Sequence, residues 1–191
     1  MTAQEFYGIW NYYLSIESDL ANTSRYIEPA GQENVHSFEF AKILILACTE
    51  VESVFKLICV ATESKKVGDI GEYKRILLSR YPKIVEATVS VNRLGKYIQP
   101  YSEWTTGPIS WWTAYQQVKH SRGSHFSCAS YQNAVNAIAA LYIAIFYLAK
   151  TEELSFSGIG SEYIYSEYAA QFFTCRAPKE LPDFCKDKED I

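Results

Sequence analysis

The chain has 191 residues, of which 48% are hydrophobic and 21% are charged, and its formal net charge is −4. This length and balance exclude a disordered or fibrous chain and predict one globular domain with a substantial core. No basic stretch followed by an apolar run stands at the N-terminus, and the longest apolar run, residues 137–149, is shorter than the roughly 20 residues that cross a bilayer. We therefore expect a cytoplasmic protein without a membrane span.

Two long amphipathic helices are predicted in the first half of the chain. Over residues 5–27, apolar side chains recur three and four positions apart and define one buried stripe, which Pro29 ends. Ser37 is placed to cap a second helix over residues 38–61, in which apolar and polar side chains occupy opposite faces. This separation of faces is typical of helices that pack against one another.

The middle of the chain has a different character. Residues 69–80 predict a short helix. Residues 85–92 alternate apolar with polar side chains, a period of two that predicts a strand, and Gly95 is expected to turn the chain into a second strand. We interpret this region as a small β-hairpin or extended flap. The alternative is a helix over residues 83–93, which the many β-branched residues disfavour.

The next helix is predicted over residues 108–121. Pro108 suits a helix start, apolar residues follow at helical spacing, and Gly123 suits the stop. Spacings of three and four bring Tyr115, Lys119 and Arg122 to one side of this helix, with Gln116 and His120 beside them.

The end of this helix carries the candidate chemistry. His120 has the side chain that transfers protons near neutral pH, and Lys119 and Arg122 place cations beside it for a phosphate or a developing oxyanion. The alternative is structural: the tryptophan pair before them anchors the core, and the polar side chains only cap or solvate the helix end.

Two carboxylates of the second helix differ in their expected positions. Glu50 is expected to point into solvent, whereas Glu52 lies at the polar margin of the buried face. From that margin Glu52 could orient His120 through a hydrogen bond. The alternative is that it pairs on the surface.

The last core helix is predicted from Ser130 to about Thr151. Its alanines permit close helix approach, and bulky apolar side chains surround most of its circumference, which predicts a covering partner. The tail from Glu152 is aromatic and is expected to dock as a strand and short helix, whereas residues 185–191 are charged and are expected to be disordered.

Charge is distributed unevenly along the chain. Residues 65–125 hold ten Lys or Arg against four Asp or Glu, and the rest of the chain holds eight against eighteen. A basic middle would attract a phosphate backbone if folding gathers its charges onto one surface. The alternative is that this region is only a solvated flap.

The order of parts over roughly residues 1–150 resembles the HEPN superfamily of small helical bundles. A helical pair, an insertion, a His-bearing helix and a very apolar last helix follow one another, and the family's motif is R-x(4-6)-H. His120 takes the histidine role, with Tyr115 at the arginine position five residues earlier and Gln116 where Asn, Asp or His is usual.

This resemblance implies a mainly α, up-and-down helical bundle with the hairpin inserted. The single domain would cover residues 1–178, with the insertion at about 64–107 and a charged, disordered tail at 179–191. It also implies a homodimer in which two His120 side chains approach a shared cleft, because the late helices of such proteins meet across a two-fold axis.

Several other chemistries are not indicated. The sequence has no P-loop, G-x-G-x-x-G, HExxH or G-x-S-x-G motif. Its five cysteines are scattered without a CxxC pair, and His120, His125 and Cys128 offer at most three nearby metal ligands. We expect reduced thiols, no metal and no cofactor.

Two function classes follow from the resemblance. The first is a dimeric RNA- or nucleotide-binding module of a prokaryotic defence or toxin–antitoxin type system, without catalysis and with an antitoxin or defence protein as partner. The residues that would bind RNA are Lys119, Arg122, His125, Tyr115 and Gln116. The missing arginine favours this class.

The second class is a metal-independent endoribonuclease. His120 would act as general acid or base while the substrate 2′-hydroxyl attacks its own phosphodiester. Lys119 and Arg122 would stabilise the phosphate charge, and Glu52 would orient the imidazole.

Overall fold

A computed structural model describes residues 1–63, 67–91, 95–154 and 173–174. The described chain forms α1 (Ala3–Thr23), α2 (Phe38–Glu63), α3 (Ile70–Arg80), β1 (Val89–Val91), β2 (Lys96–Ile98), α4 (Ser110–Ser121), α5 (Tyr131–Thr151) and β3 (Phe173–Thr174). The fold is mainly helical with a small β-hairpin, which confirms the expected class.

Four helices begin at polar side chains that satisfy their first backbone N–H groups. Thr2 and Glu5 form a reciprocal capping box at α1. Ser37 Oγ accepts the Phe40 N–H at 3.1 Å before α2, and Asp69 and Ser130 cap α3 and α5 in the same way. These caps are local in the sequence, so the helix starts agree closely with those expected.

The directions of three bundle helices follow from contacts at their ends. The Phe40 and Tyr131 rings meet with centroids 5.5 Å apart, so α2 and α5 start at the same end of the bundle. The N-terminal ammonium group of Met1, just before α1, binds Glu152 at the end of α5, so α1 and α5 are antiparallel. α4 also packs against α2 and α5, and a connection of nine residues joins it to α5.

The central element of the bundle is α5. Sixteen of its residues are buried, and α1, α2 and α4 of the same chain pack around it. Among the described helices, α5 alone has the length and composition to cross a membrane, and 83% of its most apolar stretch is buried inside the fold. The apolar circumference that suggested a partner is therefore covered within one chain. A homodimer stays a prediction and would have to use another surface.

The hairpin is shorter than expected. β1 pairs with β2 in antiparallel register, and Gly95 turns the chain with a φ of +59°. The prediction of a strand over residues 85–92 is wrong for its first half, where Pro82–Glu86 forms a 3₁₀ helix. Ile84 and Ala87, three residues apart, are both fully buried, so packing follows the period of the 3₁₀ helix there.

The aromatic tail docks on the fold at Phe173. Docking of the tail was expected from its aromatic composition. Phe173 is fully buried, and β3 pairs with the free side of β1. The Phe173 N–H and the Tyr13 hydroxyl donate to Glu17 Oε1 at 3.2 and 2.9 Å, which supplies partners for a carboxylate that is 2% exposed. The expected short helix of the tail and the disorder of residues 185–191 lie outside the described residues.

Tyr101 attaches the crossover between α2 and α5 to the core. Its ring is fully buried, and its hydroxyl donates to the Ala140 carbonyl at 2.8 Å. We expect Tyr101→Phe to lower the free energy of unfolding by about 1 kcal/mol, because one buried hydrogen bond is lost. Urea unfolding measures this, with Tyr97→Phe as the control, since Tyr97 is 61% exposed. Equal losses in both variants would contradict the anchoring role.

Candidate nucleic-acid interface

The N-terminal end of α4 is fixed in the core. The Glu103 carboxylate accepts the Ser110 N–H at 2.6 Å, which caps the helix from outside it. The Trp111 indole N–H donates to the Pro100 carbonyl at 2.8 Å, and both Trp111 and Trp112 are buried. The tryptophans therefore anchor α4, as the structural alternative expected, and the polar C-terminal end of the helix faces outward.

Lys119 is held in place at that end. Its Nζ donates to the Tyr115 hydroxyl at 3.0 Å and lies 5.2 Å from the centre of the Tyr115 ring. This hydrogen bond raises the pKa of Lys119, and the charge of Glu52 adds to the effect, so the ammonium group is charged at neutral pH. Tyr115 is 1% exposed. Its side chain therefore leaves almost no surface for the expected contact with RNA.

His120 and Arg122 are exposed beside Lys119. Neither side chain forms a hydrogen bond or an ion pair with the described part of the chain. Gln116 lies one turn before His120 and is half-buried. The structure thus presents the imidazole and the guanidinium to solvent, where a ligand could reach them.

Glu52 does not supply the expected hydrogen bond to His120. Its carboxylate forms an ion pair with Lys56 at 2.8 Å, one turn further along α2. Among the residues with described positions, Glu52 reaches Lys119 only through its charge. Glu52 therefore forms its ion pair on the surface of α2, as the alternative interpretation expected.

The loop after α4 folds back onto the helix. The His125 N–H donates to the Ser121 carbonyl at 3.1 Å, and His125 Nδ1 lies 3.3 Å from the same oxygen. Phe126–Cys128 then forms a 3₁₀ helix whose Cys128 thiol donates to Gln117 Oε1 at 3.0 Å. No group of three His, Cys, Asp or Glu with metal-binding geometry occurs within the ranges that the structure describes.

An aromatic cluster beside this loop was not expected from the sequence. The Phe126 ring contacts Phe38 at a centroid distance of 4.8 Å and His36 edge-on at 5.3 Å. Phe38 is 74% exposed although it opens the apolar helix α2. One signal was available: Phe38 stands outside the buried stripe of α2, directly after the Ser37 cap.

The basic middle of the chain does not form one free cationic surface. Arg75 makes two hydrogen bonds with Glu63, at 3.2 and 3.0 Å, and Lys96 pairs with Glu33 at 2.8 Å. Both partners come from outside residues 65–125. Arg80 lies over the Tyr81 ring. Lys65, Lys66 and Arg93 lie outside the described residues. Among the described cations of this segment, Lys119 and Arg122 lie exposed at the end of α4 without a carboxylate partner.

A groove of about 730 Å³ lies between α1 and α2. Three carboxylates line it, together with Tyr12 and Leu57, and one of them is Glu50. Glu50 is half-buried on the wall of this groove, so it is less open to solvent than expected. Burial raises the pKa of Glu50. A groove lined by three carboxylates would repel a phosphate backbone, so it is not a candidate for binding nucleic acid.

The comparisons with known proteins give no family. Neither a protein-family model, nor a curated protein, nor a solved structure matches this chain. The functional argument therefore rests on the residues and geometry of the α4 end.

The half-buried carboxyl group of Glu50 leads to a prediction about pH. Because its folded pKa is raised, its contribution to stability is fully present below the ordinary glutamate pKa and is lost as pH rises through the raised value. Glutamine imitates the protonated form at every pH. We expect Glu50→Gln to raise Tm at about pH 7 and to change it less at about pH 4.

Thermal unfolding followed by circular dichroism measures this effect. Glu28→Gln, at an exposed position, is the matched control and should leave Tm unchanged at both pH values. A Glu50→Gln variant with the wild-type Tm at about pH 7 would contradict the role of burial.

Proposed function

We propose that this chain is a HEPN-like RNA-binding module of a prokaryotic defence or toxin–antitoxin type system. The observation that carries the proposal is the C-terminal end of α4, where Lys119 is held in place and His120 and Arg122 are exposed without partners in the described chain. Exposed Lys and Arg side chains can exchange their bound water and counterions for phosphate oxygens.

The state of His120 favours binding over cleavage. A general base needs a fixed orientation, which a hydrogen bond from the second ring nitrogen usually provides. No such bond to His120 occurs among the described residues, and Glu52 is engaged with Lys56. Tyr115 also occupies the position of the family's arginine, and its buried hydroxyl binds Lys119 instead.

Stabilisation of the helix end is the competing explanation for these cations. Positive side chains in the last turn interact favourably with the helix dipole, which applies to Lys119 and His120. Arg122 follows the last helical residue, and its side chain forms no hydrogen bond or ion pair with the described chain. A variant at Arg122 therefore separates a role in binding from a role in helix stability.

We expect Arg122→Ala to weaken RNA binding several-fold and to reduce the slope of log affinity against log salt by about 0.7, the value for one phosphate contact with a single strand. Fluorescence anisotropy between about 50 and 200 mM salt measures both quantities. Arg80→Ala is the matched control, an exposed arginine beside Tyr81 and the far end of α5. Equal slopes for wild type and Arg122→Ala would reject this site.

The alternative function is a metal-independent endoribonuclease. The resemblance places two His120 side chains near a shared cleft, so this activity would depend on a homodimer. His120→Ala should then lower the rate of RNA cleavage by about 100-fold or more without metal. Sedimentation velocity at micromolar concentration reports whether the chain dimerises. A monomer, or equal cleavage by wild type and variant, would contradict this alternative.

A further inference from the structure

We infer that the aromatic cluster of His36, Phe38 and Phe126 stacks an unpaired base, so that the RNA bound at the end of α4 is single-stranded. This inference rests on the proposed function and adds to it the class of nucleic acid. None of the three residues was among the candidates from the sequence. The structure brings them together from two segments that are about 90 positions apart.

Backbone pairing fixes the position of the cluster. Residues 35–37 lie against residues 129–131, with the Tyr131 N–H donating to the Val35 carbonyl at 2.8 Å and the Ser37 N–H to the Ala129 carbonyl at 3.3 Å. His36 and Ser130 form an isolated antiparallel bridge. His36 therefore stands on paired backbone, and Phe38 and Phe126 begin helical segments within three residues of the paired segments. This local order limits the entropy that binding a base would cost the rings.

The cluster adjoins the cationic end of α4. His125 directly precedes Phe126, and the Cα atom of Arg122 lies at most about 14 Å from that of Phe126, because four residues span no more. An aromatic platform beside cations is the combination that binds single-stranded nucleic acid: the cations hold the backbone and the rings stack the bases.

Two carboxylates near the cluster are paired with cations. Glu33 pairs with Lys96, which lowers the pKa of Glu33, and Glu39 pairs with Lys42, which also binds Asp19. These pairs reduce the repulsion that the two carboxylates would exert on a phosphate. Single exposed apolar residues are common on protein surfaces. Here Phe38, the most exposed phenylalanine of the described residues, contacts Phe126, which in turn contacts His36. A scattered apolar residue forms no such cluster.

The geometry selects single strands for a physical reason. In a duplex the π-faces of the bases are covered by their neighbours, whereas an unpaired base offers a free face to an aromatic ring. Stacking is tolerant of sequence, because every base has such a face. We therefore expect little base preference and a clear preference for single-stranded over double-stranded RNA.

The experiment compares a labelled single-stranded RNA of about 12 nucleotides with the same sequence in a blunt duplex, by fluorescence anisotropy on the full chain. Phe38→Ala and Phe126→Ala should each weaken single-strand binding by about 10-fold or more. Duplex binding, which depends on Arg122 and Lys119, should change less than about 2-fold.

Two substitutions at Phe38 separate stacking from apolar contact. Phe38→Trp should keep the single-strand affinity, whereas Phe38→Leu, which retains bulk without a π-face, should lose it. Tyr12→Ala is the matched control at an exposed aromatic residue in the acidic groove. Circular dichroism verifies that each variant is folded. Equal affinities for Phe38→Trp and Phe38→Leu would overturn the stacking inference.

The outcomes distinguish this inference from the function on which it rests. If the wild-type protein binds neither the single-stranded RNA nor the duplex, both the proposed function and this inference are overturned. A wild type that binds RNA, with Phe38→Ala and Phe126→Ala unchanged, would overturn the inference alone. Loss of self-association in Phe38→Ala, with unchanged RNA affinity, would identify the cluster as a contact between copies of this chain and would also overturn it.

Discussion

Apolar side chains surround most of the circumference of α5, and such a helix is stable only where other elements cover that surface. The rest of the chain is arranged to provide that cover. α1, α2 and α4 pack along it, and the crossover adds Tyr101 on the Ala140 carbonyl and Tyr81 against Tyr147 at 4.9 Å. The long connection between α2 and α5 is therefore a structural layer of the protein as well as a linker.

The position of the candidate site follows from the same constraint. α4 has 12 residues and α5 has 21, so α4 covers only part of the central helix, and its tryptophan-bearing start occupies the core. Its polar end is left outside, near the start of α5. The chain must then turn back through Phe126–Cys128 to begin α5, and the segment before α2 pairs with it there. The cations and the aromatic rings lie near one another because both flank this turn between α4 and α5.

Features set by local sequence were predictable. Capping side chains such as Ser37 and Asp69, with an apolar period of 3.6 residues, gave helix bounds within about two to four residues, because a helix start is satisfied by its own neighbours. The cationic end of α4 was recognised because its charged residues are also close together in the sequence. The interpretation of residues 85–92 was only partly correct, since the chain enters this segment from the 3₁₀ helix Pro82–Glu86, which buries Ile84.

Features set by long-range packing were not predictable from one sequence. The side of α2 on which Glu50 lies depends on where α1 docks, and an apolar circumference does not reveal whether its cover comes from the same chain or from another. The contact of Phe38 with Phe126 joins segments that no local pattern connects. The part of the candidate site that sequence reasoning missed is therefore the part built by tertiary contact.

Photocrosslinking tests the central claim most directly, namely that the end of α4 and the adjoining aromatic cluster form the RNA site. The full chain would be irradiated with a single-stranded RNA that contains 4-thiouridine, and the crosslinked peptides would be identified by mass spectrometry. The account predicts crosslinks in the peptides that contain Phe38 and residues 122–126. Crosslinks confined to other surfaces, such as the groove between α1 and α2, would contradict it.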